Sequence, residues 1–263
     1  MTKTNSKTLL RRAGAVLVLL AAASGLSACK TTHPETGADP VTTGSVSPAG
    51  PSLKATARAA RAWRADMRNI RAGLAYARQL EALRQTGQQL DVLKKLVSYH
   101  PKDMGLRAYY GRALLRGGRP VQAEGVFRAM IKAGQRDWKT YNALGSALAG
   151  QGRYSEARVQ YNQALRVSPG NVKVVNNIAM SHILEGNPAK AETMLRRVLA
   201  SPQGRGQTRI RQNLALAIGL QGRFKEARYI ASQDLPPAEV EANMAYLKRM
   251  LGGSDTWKKL QKS

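Results

Sequence analysis

An internal period close to 34 residues constrains this chain more than any other feature. Gly118, Gly152, Gly186 and Gly222 are spaced by 34, 34 and 36 residues. Ala123, Ala157, Ala191 and Ala227 keep the same steps, five residues after each glycine. Seven residues before each glycine stands a small residue, Gly111, Gly145, Ala179 or Ala215, preceded by Tyr110, Leu144, Ile178 or Leu214. Phe127, Tyr161 and Leu195 follow their alanines by four residues, and Ala231 departs in the fourth unit. The tracts GRPVQAEGVF, GRYSEARVQY and GRFKEARYIA make the repetition visible.

Each column has a physical role. The recurring glycine ends an apolar stretch of helical period and suits the left-handed residue that closes a helix. The next helix opens at once, with Pro120 or Asn187-Pro188, where proline's fixed φ and missing N–H do no harm. The small residues let two helices approach closely. A helix pair of this size cannot bury its apolar face alone, so the units must stack. The fold expected is an all-α solenoid of about four to five helix pairs.

These columns resemble the tetratricopeptide repeat. Residues 138–171 fit best, with Leu144-Gly145, Ala157, Tyr161, Ala164 and Pro169 at the family's spacing. The neighbouring units are 104–137, 172–205 and 208–241. Residues 70–103 form a degenerate unit with Tyr76-Ala77, Leu80, Leu93, Leu96 and Pro101; Gln89 replaces the alanine and the glycine is displaced to Gly87. Gly204-Arg205-Gly206 reads as a short insertion between units. Leu235-Pro236-Pro237 breaks the last second helix and opens a new one over 238–251. There Val240, Met244, Leu247 and Leu251 recur at 4, 3 and 4, the face of a terminal cap. Residues 252–263 are a basic tail.

The first thirty residues point to a compartment. Lys3, Lys7, Arg11 and Arg12 precede the uncharged apolar stretch 13–23, which is too short for a membrane span of roughly 20 residues and has the layout of a secretory signal peptide. Leu26-Ser27-Ala28-Cys29 is similar to the lipobox of bacterial lipoproteins, and Cys29 is the chain's one cysteine. That resemblance implies cleavage after residue 28 and acylation of Cys29. An ordinary signal peptide cut nearby is the other reading. Lys30 in place of Asp implies sorting to the outer membrane, on its periplasmic face. Residues 29–52 are a linker rich in Thr, Pro, Gly and Ser, reaching roughly 25 Å.

The charge is extreme, +26 on 263 residues, and 43% of residues are apolar, enough for a core. A chain this basic prefers an acidic partner. For an exported, tethered chain, nucleic acid is not the expected partner. One cysteine excludes a disulfide framework and multi-cysteine zinc sites. His33, His100 and His182 stand far apart, and no catalytic triad, paired-carboxylate site, HExxH or phosphate loop occurs. His182 occupies the column of Leu114, Leu148 and Ile218, as a partly buried inter-helix side chain. No enzyme, small-molecule substrate, metal or cofactor is expected, apart from covalent lipid on Cys29.

Two surfaces are candidates for binding. In a basic amphipathic helix expected over 53–69, Lys54, Arg58, Arg61, Arg64 and Arg68 recur at 4, 3, 3 and 4, and from Trp63 an apolar series of Met67, Ile70 and Leu74 follows at 4, 3 and 4. These read as two stripes of one helix, the basic one either solvated or an anionic-surface contact. In the repeats, Lys139, Lys173 and Arg209 are each followed three residues later by an amide, Asn142, Asn176 or Gln212, on one helix face. Stacked, they form a row of cations and a row of amides suited to an extended acidic peptide, or simply a hydrophilic groove.

The whole arrangement is similar to the TadD family of Tad/Flp pilus assembly lipoproteins. The shared features are the lipobox with its linker, the repeats, and the stretch DLPPAEVEANMAYLKRML after the last unit. The resemblance implies a pilotin-like scaffold that binds secretin or other pilus-assembly proteins without catalysis. A general repeat lipoprotein of outer-membrane or cell-wall assembly, or a basic module for an anionic envelope polymer, remain alternatives.

Overall fold

The computed structural model describes residues 52–252, so Cys29, the signal peptide, the linker and the tail beyond 252 lie outside the described residues. The described residues hold twelve helices and no strand. They divide into two compact units, 52–106 and 107–252.

The first unit contains α1 (Leu53–Ala65), α2 (Ile70–Ala82) and α3 (Thr86–Tyr99). The basic helix expected over 53–69, with an apolar stripe running on to Leu74, is shorter: α1 stops at Ala65. Asp66 is its extended C-cap and takes the Arg68 N–H on its own carboxylate at 2.9 Å. Asn69 then caps α2 by accepting the Ala72 N–H at 3.0 Å. These two short acceptors, Asp66 and Asn69, thus compete with the helix ladder and break it. Met67 and Arg68 fall in the turn, and Ile70 and Leu74 belong to α2. The turn is pinned by the His100 ring, whose Nε2 lies 2.6 Å from the Arg68 carbonyl oxygen. Trp63 is buried against α2, its ring 5.8 Å from that of Tyr76.

The pair α2–α3 is the degenerate repeat, with Ala77, Leu80, Leu93 and Leu96 fully buried. Gln89, in the alanine column, is also buried and donates its amide N–H to Glu81 at 3.0 Å. The turn glycine is not displaced to Gly87, which lies inside α3. Arg84, 34 residues before Gly118, holds the left-handed conformation at φ 57°, against 69°, 76°, 93° and 80° at Gly118, Gly152, Gly186 and Gly222. A residue with a Cβ is strained there by about 1–2 kcal/mol. Arg84→Gly is therefore expected to stabilise the chain by about 0.5–1 kcal/mol, net of glycine's extra unfolded-state entropy. A higher urea midpoint at constant slope checks it.

The second unit contains most of α4 (Met104–Arg116), then α5 (Pro120–Lys132), α6 (Trp138–Gly150), α7 (Tyr154–Val167), α8 (Val172–Glu185), α9 (Pro188–Ala200), α10 (Thr208–Gly219), α11 (Phe224–Ala231) and α12 (Pro237–Gly252). Consecutive helices pair as 4–5, 6–7, 8–9 and 10–11. Ala123, Ala157, Ala191 and Ala227 are fully buried, and Pro120 and Pro188 open their helices. A Cβ on Gly111 would stand 2.6 Å from the Phe127 ring, and one on Gly145 2.4 Å from the Tyr161 ring. Where the small residue is Ala179, its column partner is Leu195; where it is Ala215, the partner is Ala231. Glycine thus faces an aromatic ring and alanine a smaller side chain, so the first three pairs fill the layer to a similar volume, while Ala215–Ala231 fills less of it.

The last repeat is shorter than 208–241. Its second helix, α11, ends at Ala231, and residues 237–241 already belong to α12. Arg211 holds Asp234 with two bonds of 2.6 Å, and Gln212 and Thr208 add donors at 3.2 Å, locking the loop between them. The α12 helix buries Val240, Met244, Leu247 and Leu251, as their spacing requires of a cap. Gly204 is more than loop filler: a Cβ there would lie 1.9 Å from the Val198 carbonyl oxygen, so the loop closes directly on the end of α9.

Charged clasps join successive repeats. Glu124 of α5 accepts from Gln151 and Arg153, both at 2.7 Å, in the turn of the next repeat. Arg158 of α7 donates to Glu185 at 3.0 Å, in the following turn. Glu192 of α9 again accepts from Gln221 and Arg223 at 2.7 Å, and Arg228 of α11 pairs with Glu241 of α12. The sign therefore alternates from joint to joint.

Candidate binding groove

The first helices α6, α8 and α10 stand side by side, bridged by asparagines. Asn177 Nδ2 donates to Asn142 Oδ1 at 2.9 Å, and Asn213 Nδ2 to Asn176 Oδ1 at 2.7 Å. Each bond runs from one repeat to the next. Asn142 is half-buried and Asn176 buried at 7% exposure. The expected amide row is thus engaged within the protein through its carbonyl oxygens, leaving N–H donors rather than whole amides for a ligand. Gln212 leaves the row: its Nε2 bonds Asp234 and the Ala231 carbonyl at 3.2 and 3.4 Å. Asn177 and Asn213 carry half of the ladder, one residue beyond the expected column; the paired amides at 176–177 and 212–213 were the available signal.

Lys139, Lys173 and Arg209 each occupy the second position of α6, α8 and α10, and all three are exposed. Among the described residues none is in an ion pair. The Lys139 ammonium lies 5.9 Å from the Trp138 ring centroid. The cation row thus remains available while the amide row has become structural. In the other unit, Lys54, Arg58, Arg61 and Arg64 are exposed on α1, and the Arg68 guanidinium sits 5.5 Å from the Tyr99 ring centroid.

Electrostatics in the unit 107–252 favour the folded state at neutral pH. Burial pushes the Glu124 and Glu192 carboxyls up, but their glutamine and arginine donors more than offset it and hold both below the ordinary value. Arg211 holds Asp234 down in the same way, against burial. Burial, then Arg158 and Lys190 lower His182, with Glu185 opposing. Each group binds fewer protons folded than unfolded, so stability falls as pH falls. The expected profile declines below His182's ordinary 6.5 and steepens below the glutamates' ordinary 4.5. Thermal melts across this range check it, and His182→Leu removes the upper arm only.

Two family models describe the same repeat. Both are tetratricopeptide repeat models; one matches residues 65–137 and the other 148–216, together more than half of the chain. The chain is a tetratricopeptide repeat protein. Solved structures agree on this fold. A tetratricopeptide repeat protein from Parabacteroides merdae superposes with a TM-score of 0.62 at 15% identity, covering 74% of this chain and 76% of that one. PilW, described as a widely conserved type IV pilus biogenesis factor, gives 0.57 at 18% identity over 68% and 83%. A thermophilic repeat protein of Thermus thermophilus gives 0.55 at 22% identity over 67% and 97%. No curated protein matches the sequence. As a tetratricopeptide protein, the chain is a protein–protein interaction scaffold of a class that is typically non-enzymatic.

Proposed function

We propose that this tetratricopeptide protein is a lipid-anchored scaffold for assembly of a Tad/Flp-type pilus. It works on the periplasmic face of the outer membrane, tethered through acylated Cys29, and binds secretin or another pilus-assembly component in a pilotin-like role without catalysis. The observation that carries this reading is the stretch DLPPAEVEANMAYLKRML. It resembles the TadD family, and in the fold it forms the Asp234 lock and the α12 cap. The free cation row of Lys139, Lys173 and Arg209 suits an acidic or carboxylate-ended segment of the partner. The fold likeness to PilW is compatible with a pilus role.

Deletion of the gene, scored for secretin multimers and surface pili, tests the reading. Loss of both is expected; normal levels of both overturn it. Charge reversal at Lys139 and Lys173 is expected to abolish capture of the partner while leaving the fold intact. Unchanged capture would remove the groove from the model of binding.

A further inference from the structure

The two units treat their arginines differently. In 107–252, Glu124, Glu156, Glu185, Glu192, Glu226, Asp234 and Glu241 each hold an arginine. In 53–106 there are eleven Lys and Arg against four Asp and Glu, and all eleven cations are exposed. The excess peaks on α1, where Lys54, Arg58, Arg61 and Arg64 share thirteen residues with no acidic side chain. Among the described residues none of these four is in an ion pair or a side-chain hydrogen bond. Like charges at i and i+4, as at 54 and 58, destabilise a helix. Lys54 and Arg58 lie on the side of α1 away from Ala60 and Trp63, which are buried, while Arg61 and Arg64 border a cleft shared with Tyr76 and Leu83.

We propose that α1 is an electrostatic docking surface for an anionic phospholipid bilayer, the same membrane that carries the chain's lipid tether. This rests on the lipoprotein reading for its biological setting. Two observations select a bilayer over an acidic protein. The stripe begins at Lys54, 25 residues after Cys29, so an anchored linker with a reach of roughly 25 Å would deliver Lys54 first, close to the surface. The cations are spread along an exposed helix that also presents Leu53, 77% exposed, at its tether end. A one-signed face with an apolar residue at its rim matches headgroups and the acyl boundary beneath them. Acylation and a basic surface then act as the paired signals that stable anchoring requires.

The test measures sedimentation of the full chain with phosphatidylcholine vesicles containing a minority of phosphatidylglycerol. The variant Lys54→Gln, Arg58→Gln, Arg61→Gln, Arg64→Gln carries the same leader, so the difference between the two reads α1 alone. Its affinity should fall on the order of a hundredfold, and the wild-type advantage should shrink steeply with salt. A control with Lys132, Arg166, Lys190 and Lys225 changed to Gln has the same net charge and should retain binding within a few fold. Circular dichroism shows that both variants are folded. Equal binding by wild type and the α1 variant, the result for a helix made for an acidic protein, overturns the proposal. So does an equal loss in the control, which would mean that net charge alone is responsible. The lipid anchor is tested separately, by labelled palmitate incorporation and its loss in Cys29→Ser, so the two ideas fail independently.

Discussion

Gly111→Ala is expected to destabilise the second unit by about 2–3 kcal/mol, the upper part of the range for overpacking a closed core. The new methyl would stand 2.6 Å from the ring of Phe127, which is 1% exposed and has nowhere to swing. Phe127→Leu alone should also destabilise, by about 2 kcal/mol, through the gap left beside a bare glycine. The double variant recreates the Ala179–Leu195 pairing that this same chain already uses two repeats later. It should recover most of both losses, a coupling of at least about 1 kcal/mol. Denaturant unfolding of the four chains measures it, and simple additivity would show that the layer is not a volume-matched pair.

The second large effect concerns the joint at Glu192. Its carboxylate is mostly buried and receives Arg196, Gln221 and Arg223. Glu192→Arg removes three charged hydrogen bonds and places a third cation among two, at an expected cost of about 2–3 kcal/mol. Adding Gln221→Glu and Arg223→Asn copies the joint found at Arg158, where the facing turn reads Glu185-Gly186-Asn187. The triple variant should regain most of the lost melting temperature. If it melts no higher than the single variant, the polarity of the joint is not what holds it.

Repetition makes the packing within each helix pair readable in the sequence. Four copies of a glycine, an alanine and a small residue at fixed offsets report contacts between helices of one pair, because each copy repeats the same local geometry. Interactions that cross between copies were harder to read. The Asn142–Asn177 and Asn176–Asn213 bonds depend on the stagger of neighbouring first helices, which places a residue opposite the next column rather than its own. Gln212 matched Asn142 and Asn176 by register, yet Asp234, 22 residues on, draws it away. The break after Ala65 was hidden because apolar spacing ran on undisturbed through Asp66 and Asn69, whose caps outweigh it. Arg84 carries no glycine to mark its turn, although the backbone there is left-handed as in the other units.

The alternating clasps also give the array a parity. Remove residues 138–171, and Glu124 would meet Glu185, an acid against an acid. Remove residues 138–205, and Glu124 would meet Gln221 and Arg223, the same residue types it already holds in Gln151 and Arg153. A chain built this way can shed or duplicate units in twos without rewriting its surface, but not singly. The joints therefore fall into two interleaved kinds, and the smallest block that preserves them is four helices rather than the hairpin.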